Sequence, residues 1–78
     1  MAVPVMELID KKQIGNRLKA LRKENGLKQR EVAEILHIAQ SSYADYESGK
    51  NLITLESAIR LAKQYKCSVD YIIGSYRY

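Results

Sequence analysis

Two short apolar stretches, joined by only three residues, constrain the fold of this chain more than any other feature of its sequence. They lie within residues 29–50, which read QREVAEILHIAQSSYADYESGK. Their apolar residues recur at the spacing of one side of an α-helix and are, in order, Val32, Ala33 and Leu36, then Tyr43 and Tyr46. This spacing predicts two short helices, each with one side packed against the rest of the protein.

The second of these helices also has an opposite side, and its residues point away from the two tyrosines: Gln40, Ser41, Ala44 and Asp45. Two helices joined by so short a turn cross steeply, so the second projects from the body of the protein. A helix placed in this way fits the major groove of double-stranded DNA. The pattern therefore indicates a helix-turn-helix that binds DNA.

Length and composition exclude several other classes of protein. The 78 residues form one domain, and the chain has no apolar run near the roughly 18 residues that a membrane span needs. The opening MAVPVMELID lacks the basic start and long apolar stretch of an export signal, so we expect a cytoplasmic protein. One cysteine, Cys67, and one histidine, His37, supply neither an internal disulfide nor a zinc ligand set. We expect Cys67 to be a buried small apolar residue, and we expect no metal, cofactor or small-molecule ligand.

Positive charge is concentrated in one part of the sequence. Residues 11–30 contain eight lysines and arginines and a single acidic residue, Glu24, which gives a local charge of +7 (8 − 1). A basic block of this kind is often only a solvated surface. Beside a helix-turn-helix it gains a second interpretation, because attraction to phosphates supplies most of the sequence-independent affinity for DNA.

The remaining apolar spacing predicts five short helices in all. Ile14, Leu18 and Leu21 mark a first helix over residues 11–24, followed by helices over 28–36 and 40–47. A fourth helix follows the N-cap Thr54, and its inward stripe is predicted to be Leu55, Ala58, Ile59, Ala62 and Tyr65. Ser68 caps a fifth helix that turns Val69, Ile72 and Ile73 inward and ends at Gly74. The predicted organisation is an N-terminal arm (1–10), a helical domain (11–74) and a C-terminal tail (75–78).

Four segments in this order resemble the Cro/cI-type family, also called the Xre family, of phage and bacterial repressors. They are IGNRLKALRKENGLKQ, QREVAEIL, QSSYADYESGK and SVDYIIG. The resemblance implies an all-α, five-helix bundle of the lambda-repressor-like DNA-binding type. It also implies a regulator of transcription that binds operator DNA, commonly as a homodimer.

The resemblance assigns base reading to the third helix. Gln40 matches the first side chain of the third helix that contacts a base in the family. A glutamine amide can form two hydrogen bonds with adenine, one to N6 and one to N7. Ser41 is expected to reach a base or a water molecule. Asp45 stands where Arg, Lys or Gln is more common, so it either accepts a hydrogen bond from a cytosine amino group or weakens binding by repelling phosphates.

The resemblance also implies a set of phosphate contacts around the reading helix. Gln29 matches a glutamine that contacts a phosphate and braces the first reading side chain. Lys50 matches a phosphate-binding position that acts with the main-chain amides near Gly49 and Asn51. The full expected set of phosphate-contacting residues is Lys28, Gln29, Arg30, Ser42, Lys50 and Asn51.

A structural ion pair is implied as well, between Arg22 of the first helix and Glu47 at the end of the third. The sequence departs from the family pattern at two further positions. His37 replaces the usual turn glycine, although histidine is among the residue types enriched at positive φ. Ala39 replaces the usual hydroxyl cap, so the start of the third helix lacks a capping side chain.

Three classes of function remain to be weighed. The first is a repressor that occupies an operator as a homodimer, joined through the apolar residues near the chain ends: Val3, Val5, Met6, Leu8, Ile9, Tyr71, Tyr76 and Tyr78. The second is a protein-interaction module, such as an antitoxin or anti-repressor, that keeps the fold with little DNA binding of its own. The third is an enzyme, which we do not expect because no nucleophile with a base, no carboxylate pair and no glycine-rich phosphate loop is found.

Overall fold

A computed structural model describes residues 10–74, and this part of the chain consists of five helices and no strand. The helices are α1 (Lys11–Glu24), α2 (Gln29–Leu36), α3 (Gln40–Ser48), α4 (Leu55–Tyr65) and α5 (Val69–Ile73). The predicted all-α architecture is confirmed, and the bounds differ from the predicted ones by one residue at α2 and α3. The arm, apart from Asp10, and the tail lie outside the described residues. None of the five helices is long and apolar enough to cross a membrane.

Each helix contributes at least one fully buried side chain to a single apolar core. These are Leu18, Val32, Tyr43, Leu61 and Ile72, one from each helix in chain order. The inward residues predicted for α1 and α2 are buried, and Val69 and Ile73 of α5 pack against the core. Full burial of such a side chain contributes about 1.5–3 kcal/mol, so the core is the main source of stability in so small a domain.

The predicted inward stripe of α4 is wrong at two positions. Leu55 is 70% exposed and Ile59 is 41% exposed, whereas Ser57, Ala58, Leu61 and Ala62 are the buried residues of this helix. The helix carries apolar residues on more than one side, so helical spacing alone does not select the side that faces the core. Burial of Leu61 and Ala62 turns Leu55 and Ile59 toward solvent.

The ends of the helices follow the predicted local chemistry. Thr54 accepts a hydrogen bond from the Ser57 amide, and Ser68 accepts one from the Tyr71 amide. His37 ends α2 in the left-handed conformation, with φ 58°, as predicted. Lys66, with φ 56°, ends α4 in the same way and was not singled out from the sequence. The start of α2 is stabilised by a side chain within the helix instead of one before it: the Lys28 amide donates a hydrogen bond to the Glu31 carboxylate at 2.8 Å.

Candidate nucleic-acid interface

Helix α3 is held by one side and presents the other to solvent. Tyr43 is fully buried, and its ring meets that of Tyr46 edge to face, with centroids 6.4 Å apart. Gln40, Ser41 and Ser42 are exposed at the start of the same helix. Ala39 provides no side-chain hydrogen bond to this start. Gln40 and Ser41, two of the three residues expected to read bases, are therefore on the surface, and the third, Asp45, is half-exposed.

The structure brings Arg22 and Glu47 together. Arg22 Nε donates to Glu47 Oε2 at 2.6 Å, and Arg22 Nη2 donates to Glu47 Oε1 at 3.1 Å. The third guanidinium nitrogen, Nη1, donates to the Leu27 carbonyl oxygen at 3.0 Å. These bonds join α1 both to the end of α3 and to the connection before α2, so they fix the position of α3.

Gln29 occupies a different position from the one expected. Its Nε2 donates to Glu47 Oε1 at 3.0 Å, so the amide is directed to the end of α3 instead of bracing Gln40 at its start. The physical reason is the burial of the Glu47 side chain, which is 4% exposed and needs several donors to balance its charge. The Gln29 amide thus supports Glu47 together with Arg22, while its predicted contacts with a phosphate and with Gln40 stay predictions.

Burial and hydrogen bonding oppose each other at Glu47. Burial by itself raises the pKa of this carboxyl, but the hydrogen bonds from Arg22 and Gln29 outweigh it and hold the pKa below its usual value. The hydrogen bond to Glu47 raises the pKa of Arg22 in turn. Burial, followed by the neighbouring carboxylate, raises the pKa of Tyr43. The group is thus a charged pair with a neutral tyrosine beside it.

Internal hydrogen bonds organise the turn that follows α3. The Asn51 amide donates to the Asp45 carbonyl oxygen at 3.2 Å, and Asn51 Nδ2 donates to Asp45 Oδ2 at 3.4 Å. The Lys50 amide donates to Ser48 Oγ at 3.3 Å. The main-chain amides that were expected to hold a phosphate are therefore used within the turn. What this turn presents to a ligand is the exposed side chain of Lys50.

The same turn packs against the first turn of α1. Gly49 has φ 83°, and a Cβ placed on it would lie 2.9 Å from the Lys12 Cα. Only glycine fits there, because both the backbone conformation and the close approach exclude a side chain. This contact places Lys12 next to Gly49, the residue that precedes Lys50, and Lys11, Lys12 and Lys50 are all exposed. The sequence singled out these two lysines only as members of the basic block.

The other basic residues of residues 11–30 are distributed unevenly over the structure. Lys28 and Arg30 are exposed at the start of α2, where a phosphate contact was expected. Arg22 is committed to Glu47, and its side chain is only 12% exposed. The guanidinium of Arg17 lies 4.8 Å from the centre of the Tyr71 ring. The local charge of +7 is therefore larger than the charge available for binding phosphates, because Arg22 is already paired with Glu47.

Gly15 is the residue with a clear role in the site that the sequence analysis missed. It lies buried in α1, and an added Cβ would lie 2.5 Å from the Tyr46 carbonyl oxygen and 2.8 Å from the Glu47 carbonyl carbon. The absence of a side chain at Gly15 therefore allows α3 to rest directly on α1. A lone glycine inside a helical apolar pattern is the signal that could have found it.

No group of three or more potential metal ligands occurs among residues 10–74. Cys67 is half-buried and packs against the core, and burial raises the pKa of its thiol. A neutral thiol in that position is consistent with the apolar role expected from the sequence.

Residues 18–72 match the helix-turn-helix family model. The chain is 43% identical over 58 residues to the uncharacterized HTH-type transcriptional regulator YobD of Bacillus subtilis (strain 168), a match that covers 74% of this chain and 52% of that protein. It is 33% identical over 64 residues to the cryptic phage CTXphi transcriptional repressor RstR of Vibrio cholerae, covering 82% of this chain and 54% of the repressor. The chain spans about half the length of these two relatives.

A solved structure shows the same fold. The crystal structure of a transcriptional regulator from Listeria innocua superposes with a TM-score of 0.78 at 34% sequence identity, covering 83% of this chain and 61% of that one. These similar proteins are regulators of transcription and not enzymes.

Proposed function

The chain belongs to the helix-turn-helix family of Cro/cI-type, or Xre, transcriptional regulators, and from this premise we propose that it represses transcription by binding operator DNA through α3. The observation that carries the proposal is the exposure of Gln40 and Ser41 on a helix whose opposite side is buried. A helix held in this way can enter the major groove without any rearrangement of the core.

Three side chains are proposed to read bases. Gln40 pairs with the N7 and N6 edge of an adenine, and Ser41 contacts the neighbouring base or a bridging water molecule. Asp45 uses one carboxylate oxygen for Asn51, which leaves its second oxygen for a cytosine amino group. Because Asp45 is only half-exposed and is oriented by the turn, its contact would be selective for one position.

Phosphate contacts are proposed on two sides of α3. Lys28, Arg30 and Ser42 are exposed on one side, at the starts of α2 and α3, and Gln29 contributes through its main-chain amide. On the other side Lys50 is joined by Lys11 and Lys12, which the Gly49 contact brings close. Asn51 acts mainly by holding the turn in place through its bonds to Asp45.

We propose a homodimer because one module of this size has limited contact with DNA. Such a module buries about 600–1,000 Å², whereas two copies on half-sites about 34–36 Å apart double the contact. A repressor of this kind blocks polymerase by occupying the operator. The proposed place of action is the cytoplasm, where the protein would have access to the DNA that it binds.

Selection of bound duplexes from a random pool is the most direct test. We expect a single preferred sequence with two-fold symmetry, which would report the bases read and the half-site spacing together. The logarithm of the binding constant for that sequence should fall linearly with the logarithm of salt concentration, with a slope of about −0.9 for each phosphate contact. If no duplex binds even at low ionic strength, the proposal is wrong and the protein-interaction module takes its place.

Substitution of Gln40 tests the base contact itself. Gln40→Ala should weaken binding to the selected duplex by about 1–3 kcal/mol and remove the preference at one base pair. Lys50→Ala should instead weaken binding to all duplexes alike and lower the salt slope by about 1. Gln64→Ala, at an exposed glutamine of α4, is the matched control and should change neither quantity. Base preferences that survive Gln40→Ala would remove this residue from the reading set.

A further inference from the structure

Two polar side chains that are six residues apart in the sequence lie next to each other at the end of α3. Asp45 belongs to the last turn of the helix, and Asn51 lies in the turn that follows it. Asn51 Nδ2 donates a hydrogen bond to Asp45 Oδ2 at 3.4 Å. Asp45 is half-exposed and Asn51 is exposed, so a ligand can reach both side chains. We call them the Asp45–Asn51 pair.

The backbone keeps the Asp45–Asn51 pair together, independently of this long side-chain bond. The Asp45 carbonyl oxygen accepts hydrogen bonds from the Asn51 amide and from Ser48 Oγ, both at 3.2 Å. The Lys50 amide donates to the same serine hydroxyl at 3.3 Å. Gly49, in the middle of the turn, packs closely against α1. Because the turn is fixed in this way, little further ordering is needed before the two side chains bind a ligand.

The two side chains retain one donor and one acceptor that the turn does not use. A carboxylate only accepts hydrogen bonds, so the amide nitrogen of Asn51, and not its oxygen, faces Asp45. That nitrogen carries two hydrogens, and Asp45 uses one of them. The other carboxylate oxygen, Oδ1, accepts no hydrogen bond within residues 10–74. The Asp45–Asn51 pair therefore offers a donor and an acceptor side by side.

Every base pair presents an amino group beside a carbonyl oxygen in the major groove. In C·G these are the cytosine N4 donor and the guanine O6 acceptor, and in A·T they are the adenine N6 donor and the thymine O4 acceptor. The group next to the amino group distinguishes the two base pairs. Adenine N7 is an acceptor that repels a carboxylate placed at N6, whereas cytosine has only a C–H group beside N4. A carboxylate with a donor beside it therefore favours C·G.

We propose that the Asp45–Asn51 pair reads one C·G base pair as a unit, with Asp45 Oδ1 accepting from cytosine N4 and Asn51 Nδ2 donating to guanine O6. Asn51 is then a residue that determines specificity, in addition to holding the turn. Because the donor and the acceptor have a fixed order, the pair also distinguishes C·G from G·C. This inference rests on the proposed function and deepens it, since it adds a base contact from a residue outside α3.

Base preference at one position, and not overall affinity, is the decisive measurement. Asp45→Ala first identifies the base pair of the selected duplex at which it removes the preference, and all four base pairs are then compared there. We expect the original full chain to favour C·G by about tenfold or more. Asn51→Ala should lower this preference severalfold at the same base pair and leave the other preferences within about twofold. Asn16→Ala, the same change at an exposed asparagine of α1, should leave all of them unchanged.

A modified base tests the contact of Asp45 by itself. N4-methylcytosine still pairs with guanine, but a methyl group replaces the N4 hydrogen that points into the major groove. At the proposed base pair it should weaken binding of the original chain by about tenfold and binding of Asp45→Ala by less than about twofold. An equal loss for both proteins would mean that Asp45 does not contact N4, and the inference would be wrong.

The same binding experiments separate this inference from the proposed function. If Asn51→Ala weakens binding to all duplexes alike, or changes the preference at a different base pair from Asp45→Ala, the two residues do not read as a unit and only the inference fails. A chain that binds its selected duplex without favouring C·G at that position also overturns the inference alone. A chain that binds no duplex overturns both.

Discussion

Glu47 accepts hydrogen bonds from residues of two other helices, so the cost of removing one donor should be large. Arg22→Met leaves a carboxylate that is 4% exposed without its main partner, and we expect a loss of about 3–5 kcal/mol in the free energy of unfolding. The measurement is urea unfolding at neutral pH. Gln29 alone cannot replace the charge, so helix α3 should also loosen without the loss of any base contact.

A second ion pair of the same chain supplies the control. Arg60 and Glu56 pair at 3.3 Å with side chains that are 44% and 77% exposed. Arg60→Met therefore removes a pair held in water, and the loss should stay below about 1 kcal/mol. Equal losses for Arg22→Met and Arg60→Met would contradict the structural role assigned to the buried pair.

The charge and the hydrogen bond of Asp45 can be separated by two substitutions. Asp45→Asn removes the charge but keeps an oxygen that accepts from Asn51, whereas Asp45→Ala removes both. If Asp45 reads cytosine, Asp45→Asn flattens the preference at one base pair, and this is the result we expect. If the carboxylate only repels phosphates, Asp45→Asn raises the affinity for all sequences alike. Comparison of bound pools selected by the two variants and the original chain decides between these outcomes.

At the scale of the helices, the contact of α1 with α3 depends on the missing side chain of Gly15. Replacing a glycine inside a helix by alanine usually stabilises the helix by about 0.5–1 kcal/mol. Here the added Cβ would overlap the backbone of Tyr46 and Glu47, so we expect Gly15→Ala to destabilise the domain instead. DNA affinity should fall too, since the two helices must move apart.

Asn16→Ala, at the exposed neighbour of Gly15 on the same helix, is the matched control for that substitution. It changes helix propensity without adding volume to the contact, so its effect on the free energy of unfolding should be small and favourable. Thermal melts of both variants show whether Gly15→Ala lowers the melting temperature while Asn16→Ala raises it. A stabilising Gly15→Ala would mean that α1 and α3 do not approach each other as closely as the structure shows.

The sequence predicted those helices best that have apolar residues on one side only. In α1, Ile14, Leu18 and Leu21 leave no choice of inward side, and all three are buried. Helix α4 has apolar residues on two sides, with Leu55 and Ile59 on one and Leu61 on the other. Which side faces the core depends on how α2 and α5 pack against the helix, and the spacing of residues along α4 carries no information about that packing. Local end signals such as Thr54 and Ser68 were reliable because they depend on neighbouring residues only.

The candidate site was less predictable for a related reason. The partner of Gln29 depends on the distance between the start of α2 and the end of α3, and no sequence pattern gives that distance. The same is true of Lys12, which lies against the turn after α3 only because Gly49 lacks a side chain. Sequence spacing thus identified which side chains are chemically suited to DNA, while the three-dimensional structure decides which of them are already engaged.

The low pKa of Glu47 makes the free energy of unfolding of the domain depend on pH in the acid range. The carboxyl titrates at a lower pH when folded than its ordinary value of 4.5, so the folded state binds fewer protons than the unfolded state in that range. The stabilisation from Glu47 is therefore fully present above about pH 4.5. It declines as the pH falls below that value and is lost once the pH passes through the folded pKa.

Urea unfolding from pH 7 down to pH 2 measures this dependence. The double variant Arg22→Met/Glu47→Gln removes the titrating group without leaving a buried charge unpaired, so its free energy of unfolding should fall less steeply below the ordinary Glu pKa. The curves of the two proteins should run parallel above that value and converge below it. Parallel curves over the whole range would mean that the Arg22–Glu47 pair is not the site at which acid destabilises the contact between α1 and α3.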